Sequence, residues 1–441
     1  MNVAPRLLLV LSLAATAAVA APISPPPPTP AGNTAEMIQD TRVLDPYRWL
    51  ENWSDPTVRA WSDAQNARAR AYLDGLPFRA AIQARLARLI KAASPAYSEL
   101  EAHGSRVFAL YSDPKFQQPM LVTLDAKADP ASRKPLVDPN KIDAKGLTAI
   151  DWFAVSFDGA KVAVSLSQNG SENGTLHLYD TATGAQIDKP IADVQFPTAG
   201  GGAAWAKDGS GLWYTRYPGA TRPQADRNFF QQVYFHKLGT DAATDPLVLG
   251  PKDGLERVSE LFLDTRYGND GCFVAVQRGD GNQWSFYLLA KSGAPIRLAA
   301  YDDHLVYATQ GPDGAIYAIS RKDAPNGKIV RLKPPFAAGA LAKAPAIVPQ
   351  SGVAILSGGA EDHRLDLALS ADRLFVRDIV GGPNQVRIFG FDGKPLGKLP
   401  LPEVAGNTEI VPLAGGDVLF NVQTYLRPVY FALWHAATGK T

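Results

Sequence analysis

The sequence predicts a mainly β chain: a seven-bladed β-propeller preceded by a short α-helical arm. Three observations carry this. A unit of about 52 residues recurs between Gly104 and Gly416. Each unit opens on a turn, most often Asp-Gly, that leads into a short apolar strand and then a second, aromatic-rich strand. Helical periodicity is confined to the residues before about 96.

Residues 1–20 read as a secretory signal peptide. Arg6 gives a positive charge, residues 7–18 an apolar run, and Ala18-Val19-Ala20 a small-x-small site before Ala21. The run is short for a bilayer span. Cleavage rather than anchoring is therefore expected, with no membrane span afterwards and an exported, periplasmic or secreted product. Residues 21–33 form a Pro-rich linker. In Pro25-Pro26-Pro27-Pro28-Thr29-Pro30 the fixed φ and missing N–H groups favour an extended spacer, read as a leader without a partner.

Residues 34–95 are the helical arm. Asp45-Pro46-Tyr47-Arg48-Trp49-Leu50-Glu51 precedes a helix start, where Ser54 or Asp55 can cap and Pro56 suits the first turn. Val58, Trp61, Gln65, Arg68 and Tyr72 follow at helical spacing until Gly75 and Pro77 interrupt. A second helix carries Ile82, Leu86, Leu89 and Ile90 on one stripe and ends before Ser94-Pro95. The arm is too small to bury this apolar surface by itself. Tyr47, Trp49, Trp53 and Trp61 are read as packing residues rather than a ligand box.

Residues 96–441 are the propeller. The turns are His103-Gly104, Asp158-Gly159, Asp208-Gly209, Asp270-Gly271, Asp313-Gly314, Ala371-Asp372 and Gly415-Gly416. The second halves of the units begin near Met120, Leu176, Val233, Trp284, Ile329, Val386 and Val429. Two hairpins per unit make a four-stranded blade. A β-sandwich array is the competing architecture, but it has no reason to repeat at a fixed period. The seventh unit completes near Ala437-Thr438-Gly439-Lys440, so the chain is expected to stop at a domain boundary.

Composition excludes several function classes. Among 441 residues, 44 Lys and Arg against 43 Asp and Glu give a formal net charge of +1, with no attraction to nucleic acid or an anionic surface. The one cysteine, Cys272, allows no internal disulfide and lies in a strand-like run, where a buried structural thiol is expected. The six histidines, His103, His177, His236, His304, His363 and His435, show no close ligand spacing. A metal-dependent propeller enzyme would have to gather them from separate blades. Glu361-Asp362 and Asp302-Asp303 read as solvated loop acids, and no cofactor or metal is expected. No Gly-x-Ser-x-Gly elbow occurs, and Gly209-Ser210-Gly211 is a turn between strands.

Several motifs resemble the prolyl oligopeptidase family. In the arm these are Asp45-Pro46-Tyr47-Arg48-Trp49-Leu50-Glu51, Val58-Arg59-Ala60-Trp61, Ala64-Gln65-Asn66 and Tyr72-Leu73-Asp74-Gly75-Leu76-Pro77. In the propeller, Ser165-Leu166-Ser167-Gln168-Asn169-Gly170-Ser171-Glu172, Trp213-Tyr214-Thr215-Arg216-Tyr217-Pro218 and Val233-Tyr234-Phe235-His236-Lys237-Leu238-Gly239 are similar to the family's. The resemblance covers nearly the whole mature chain. It implies an arm that packs on an α/β-hydrolase domain bearing a Ser-Asp-His triad, and a propeller that limits access to short peptides. That hydrolase domain is expected to be absent here, so no catalytic residue is assigned and the substrate-binding residues stay unknown. Arg216 and His236, inside these stretches, face either the channel or ordinary packing. The chain is expected to be inactive alone, with a hydrolase domain on a separate chain as partner. The alternative is a stand-alone propeller module that binds peptides or glycans.

Overall fold

The computed structural model describes residues 23–267, 270–291, 293–357 and 367–441. The signal-peptide expectation, Glu361-Asp362 and His363 lie outside the described residues. The chain divides into two compact units, one up to Ala93 and one from Ser94.

The first unit begins differently from the helical arm expected over 34–95. Residues Ala35–Ile38 and Thr41–Leu44 pair as an antiparallel hairpin, turned by Gln39 and Asp40 at positive φ. The period-two signal of two four-residue strands is too short to separate from loop sequence. The helix α1 (Pro56–Asp74) follows, with the Asp55 carboxylate accepting the Thr57 N–H and Pro56 in the first turn. It stops at Gly75, and α2 (Arg79–Lys91) stops before Ser94-Pro95. Val58 is buried, whereas Ile82, Leu86, Leu89 and Ile90 of α2 are all exposed.

The Pro-rich segment is a second difference. Instead of a free leader, it is strapped along the arm. The Trp61 indole donates to Thr29 Oγ1 at 2.9 Å, Trp49 to the Pro30 carbonyl at 3.0 Å, and Arg68 Nε to the Ser24 carbonyl at 2.6 Å. Proline removes donors but leaves every carbonyl outward as an acceptor, and the arm's long side chains supply the N–H groups. Trp49 and Trp61 meet edge to face at 6.3 Å, while Tyr47 and Trp53 remain exposed.

The second unit is a ring of seven antiparallel sheets. The first five blades are regular four-stranded meanders, running from Ala96–His103 in blade 1 to Ala346–Val348 in blade 5. In blade 6 two described strands, Ala354–Ile355 and Leu367–Leu369, both pair with Arg373–Ile379. Blade 7 has three strands, Ile410–Pro412, Val418–Val422 and Tyr430–Trp434. Each turn read from sequence joins strands 1 and 2 of a blade. Each second half is strand 3.

The core is the set of interfaces between neighbouring blades. Phe108, Leu121, Phe153 and Val164 join blade 1 to blade 2, and Trp205, Leu212, Tyr214 and Leu176 join blade 2 to blade 3. Val411, Leu413 and Leu419 of blade 7 pack on Leu100, Val107 and Tyr111 of blade 1 and close the ring. Adjacent turns also touch through backbone. A Cβ on Gly104 would lie 2.5 Å from the Asp158 carbonyl, and one on Gly159 would lie 2.8 Å from the His103 carbonyl. Both residues have positive φ, so only glycine fits this seam. No helix among the described residues is long and apolar enough to cross a membrane.

Candidate functional site

The residue types that could carry chemistry are spread around the ring. His236, on strand 3 of blade 3 (Gln232–Lys237), is 1% exposed. Its Nδ1 lies 3.0 Å from Asp245 Oδ2 and its Nε2 lies 3.3 Å from Asp188 Oδ2. Asp245 also accepts the Tyr214 hydroxyl at 2.9 Å, and Asp188 accepts the Gly239 N–H at 2.7 Å. Both ring nitrogens are therefore occupied by carboxylates, and His236 ties the outer edge of blade 2 to blade 3. It does not face the channel. No sequence signal links Asp188 to a histidine in the next blade.

Arg216 ends strand 2 of the same blade (Gly211–Arg216) and reaches outward. Its Nη1 donates to the Ala242 carbonyl at 3.1 Å, and its guanidinium lies 5.3 Å from the Tyr234 ring centre. Ala242 belongs to the connection between strands 3 and 4, so Arg216 lies toward the rim rather than on the innermost strand around the axis. With Tyr217, Thr221, Arg222, Gln232 and Tyr234 it lines a polar cleft of about 490 Å³.

The other histidines are dispersed. His103 lies 3.3 Å from Glu101, His177 stacks on Tyr179 and lies 3.4 Å from Gln186, and His435 Nδ1 lies 2.8 Å from Asp417. His304 ends a 3₁₀ turn at positive φ, in which Asp303 accepts the Ala300 N–H. Asp302 is solvent-exposed beside it. Among the described residues no group of three or more His, Cys, Asp or Glu side chains is arranged to hold a metal ion.

The hydroxyl and thiol candidates are locked into structure. Ser210 donates to Asp208 at 2.7 Å and accepts from the Lys291 ammonium at 3.0 Å. Cys272 is fully buried, and burial pushes its thiol far above the ordinary range. Ser165 and Ser167 both donate to Asp151, at 2.7 and 2.5 Å. Asp151 is the extra residue of a bulge between Ile150 and Trp152. Its burial raises its pKa, and the two serine hydroxyls offset part of that effect. Among the described residues, then, no serine or cysteine is hydrogen-bonded to a histidine base, which nucleophilic catalysis of the serine type requires.

Comparison with known proteins agrees with this architecture. The family described as prolyl oligopeptidase, N-terminal beta-propeller domain, matches residues 27–440. A prolyl endopeptidase of Elizabethkingia miricola is 30% identical over 313 residues, covering 69% of this chain and 42% of the relative. A prolyl endopeptidase of Elizabethkingia meningoseptica is 26% identical over 299 residues, covering 66% and 40%. The chain thus spans about two fifths of the length of the curated relatives it matches. Among solved structures, one from a study of two prolyl endopeptidases superposes with a TM-score of 0.79 at 24% identity, over 94% of this chain and 58% of the other. A prolyl oligopeptidase B of Galerina marginata superposes with a TM-score of 0.75 at 18% identity, over 93% and 59%. The fold, the seven blades and a match over nearly the whole chain lead to one assignment: the chain belongs to the prolyl oligopeptidase family, in the part formed by its N-terminal β-propeller.

Proposed function

We propose that the chain serves as the gating part of a prolyl oligopeptidase-like serine peptidase, limiting access to short peptides, and that it is inactive by itself. The observation that carries this reading is the family match over residues 27–440, set beside a described structure without a nucleophile–base pair. Catalysis would come from an α/β-hydrolase domain, supplied by a separate chain. The arm supports the docking half of the proposal. Ile82, Leu86, Leu89 and Ile90 form an exposed apolar row on α2, of the kind that marks an interaction surface. We place the mature protein outside the cytoplasm, on the signal-like residues 1–20.

The test is hydrolysis of a proline-containing chromogenic peptide by residues 21–441, alone and mixed with a hydrolase domain from a relative. Activity only in the mixture supports the reading. Charging the arm by Leu86→Glu with Leu89→Glu is expected to abolish that activity while leaving the propeller folded. Activity of the chain alone that resists serine-directed reagents would overturn it.

A further inference from the structure

We propose that the arm carries a binding groove for proline-rich peptides, and that the chain's own residues 24–30 occupy it as an internal ligand. Ser24, Pro25, Pro26, Pro27 and Thr29 each precede a proline, which holds them extended, and every proline fixes its own φ. The segment is thereby restricted to polyproline II, a left-handed helix of about three residues per turn. Its contacts repeat at that period. The Ser24 carbonyl accepts from Arg68 Nε at 2.6 Å, Pro27 is half-buried between exposed prolines, and the Pro30 carbonyl accepts from the Trp49 indole at 3.0 Å. Ser24, Pro27 and Pro30 therefore share one face of the helix, the face turned to the arm. Thr29 is the other half-buried residue of the segment, and its hydroxyl oxygen accepts from the Trp61 indole at 2.9 Å.

The receiving surface has the chemistry such a helix requires. Proline offers carbonyls but no N–H, so a proline-rich ligand is recognised by donors set among aromatic rings. Here the donors are two indoles and a guanidinium, and Trp49 stands edge to face against Trp61 at 6.3 Å. On α1 Trp61, Gln65, Arg68 and Tyr72 form one half-buried stripe, and the segment runs antiparallel to it, with Ser24 at Arg68 and Thr29 at Trp61. The groove therefore reads Pro-x-Thr-Pro, as in Pro27-Pro28-Thr29-Pro30. A stiff polyproline helix loses little conformational entropy on docking, which favours binding of the same sequence from a separate peptide. Beyond the groove the Gly32 N–H donates to the Pro46 carbonyl at 2.7 Å and anchors the segment's far end. Residues 24–30 can thus leave the groove while tethered beside it, at an effective concentration in the millimolar range. The strap closes the site, and a free proline-rich peptide enters when the strap is released.

The experiment compares residues 21–441 with the same chain carrying Pro26→Gly, Pro27→Gly and Thr29→Val, which loosen the strap and delete the Trp61 acceptor. Both are titrated with acetyl-Ser-Pro-Pro-Pro-Pro-Thr-Pro-amide and followed by calorimetry and by the indole N–H resonances. The Trp49 and Trp61 signals are assigned by their loss in Trp49→Phe and Trp61→Phe. The loosened strap should shift both signals, and the peptide should return them towards their parent positions with saturable binding. The parent, its groove already filled, should bind at least about tenfold more weakly. A peptide with valine in place of threonine leaves the protein untouched and should bind about five- to tenfold more weakly, the loss of one neutral hydrogen bond. Equal binding by the parent and the loosened chain would overturn the proposal, as would equal binding of the two peptides. So would unshifted indole signals in the loosened chain, or no saturable binding to it at millimolar peptide. The parent should be monomeric by light scattering; a dimer that the peptide dissociates would seat a second copy's strap in the groove and overturn its closure within one chain.

Discussion

Beside its apolar cluster, the join between blades 7 and 1 carries a carboxylate contact that can be removed. In blade 1 the first strand bulges between Ser98 and Glu101, so the ladder to Arg106–Ser112 skips residues 99 and 100. The Leu100 N–H, in a residue 7% exposed, is left without a strand partner and donates instead to Glu409 Oε1 of blade 7 at 2.6 Å. Glu409→Ala deletes the acceptor and leaves that N–H buried. An unsatisfied buried donor costs about 1–3 kcal/mol, and a charged acceptor places the loss in the upper half of that range. Glu409→Gln keeps a carbonyl oxygen at nearly the same place and should cost about 1 kcal/mol or less. Urea unfolding of both variants, with the exposed Glu403→Ala as control, measures the stability change. Hydrogen exchange at the Leu100 amide reads the bond itself. The expected order of stability is wild type, then Glu409→Gln, then Glu409→Ala, with Leu100 exchanging fastest in the last. If Glu409→Ala unfolds with Glu403→Ala and Leu100 stays protected, the carboxylate does not hold the seam and the apolar cluster alone closes the ring.

Three further outcomes follow from buried groups. Burial acts to raise the pKa of Asp188, but donation from the Gly239 and Lys189 N–H groups and the His236 imidazole outweighs it and holds the carboxyl below its ordinary value. A depressed carboxylate stabilises the fold above its unfolded pKa of about 3.9 and loses that contribution as pH falls through the lower folded value. Asp188→Asn should therefore be less stable than wild type at neutral pH, and the gap should close in acid-unfolding curves below about pH 4. At Gly174 an added Cβ would stand 2.1 Å from Ser165 Oγ and 2.4 Å from Gln195 Cβ, against the Asp151 cluster. Gly174→Ala should cost about 1–3 kcal/mol by overpacking, measured as a lowered melting temperature. Cys272, buried and with its thiol pKa raised, should resist a thiol reagent in the native protein and react on unfolding; rapid native labelling would contradict its burial.

Which parts of the blades were legible follows from their surroundings. Strands 2 and 3 lie between neighbouring blades and are covered on both faces, so residues 107–111 of Arg106–Ser112 and 272–276 of Cys272–Arg278 read as unbroken apolar runs. The fourth strands are short outer edges with mixed exposure. Pro395–Lys398 is exposed throughout and leaves no pattern. The hairpin of Ala35–Ile38 with Thr41–Leu44 escaped for the same reason. The Asp55 cap and the Gly75 stop of α1 were legible because capping is a local matter of one side chain and its next turn.

By itself the sequence determined the repeat, the turn glycines and the helix limits, all set within a few residues of each position, whereas the count of seven blades was fixed by the sheets of the structure. Only the tertiary structure decided which side chains meet across blades. Asp188 finds His236 at a distance of 48 residues in the chain, and Leu100 finds Glu409 at 309. It also strapped the Pro-rich segment along the arm, where outward carbonyls met the N–H groups of Trp49 and, on α1, Arg68. Local propensity fixes an element through its own backbone, whereas a polar partner is fixed by where the ring brings distant strands together.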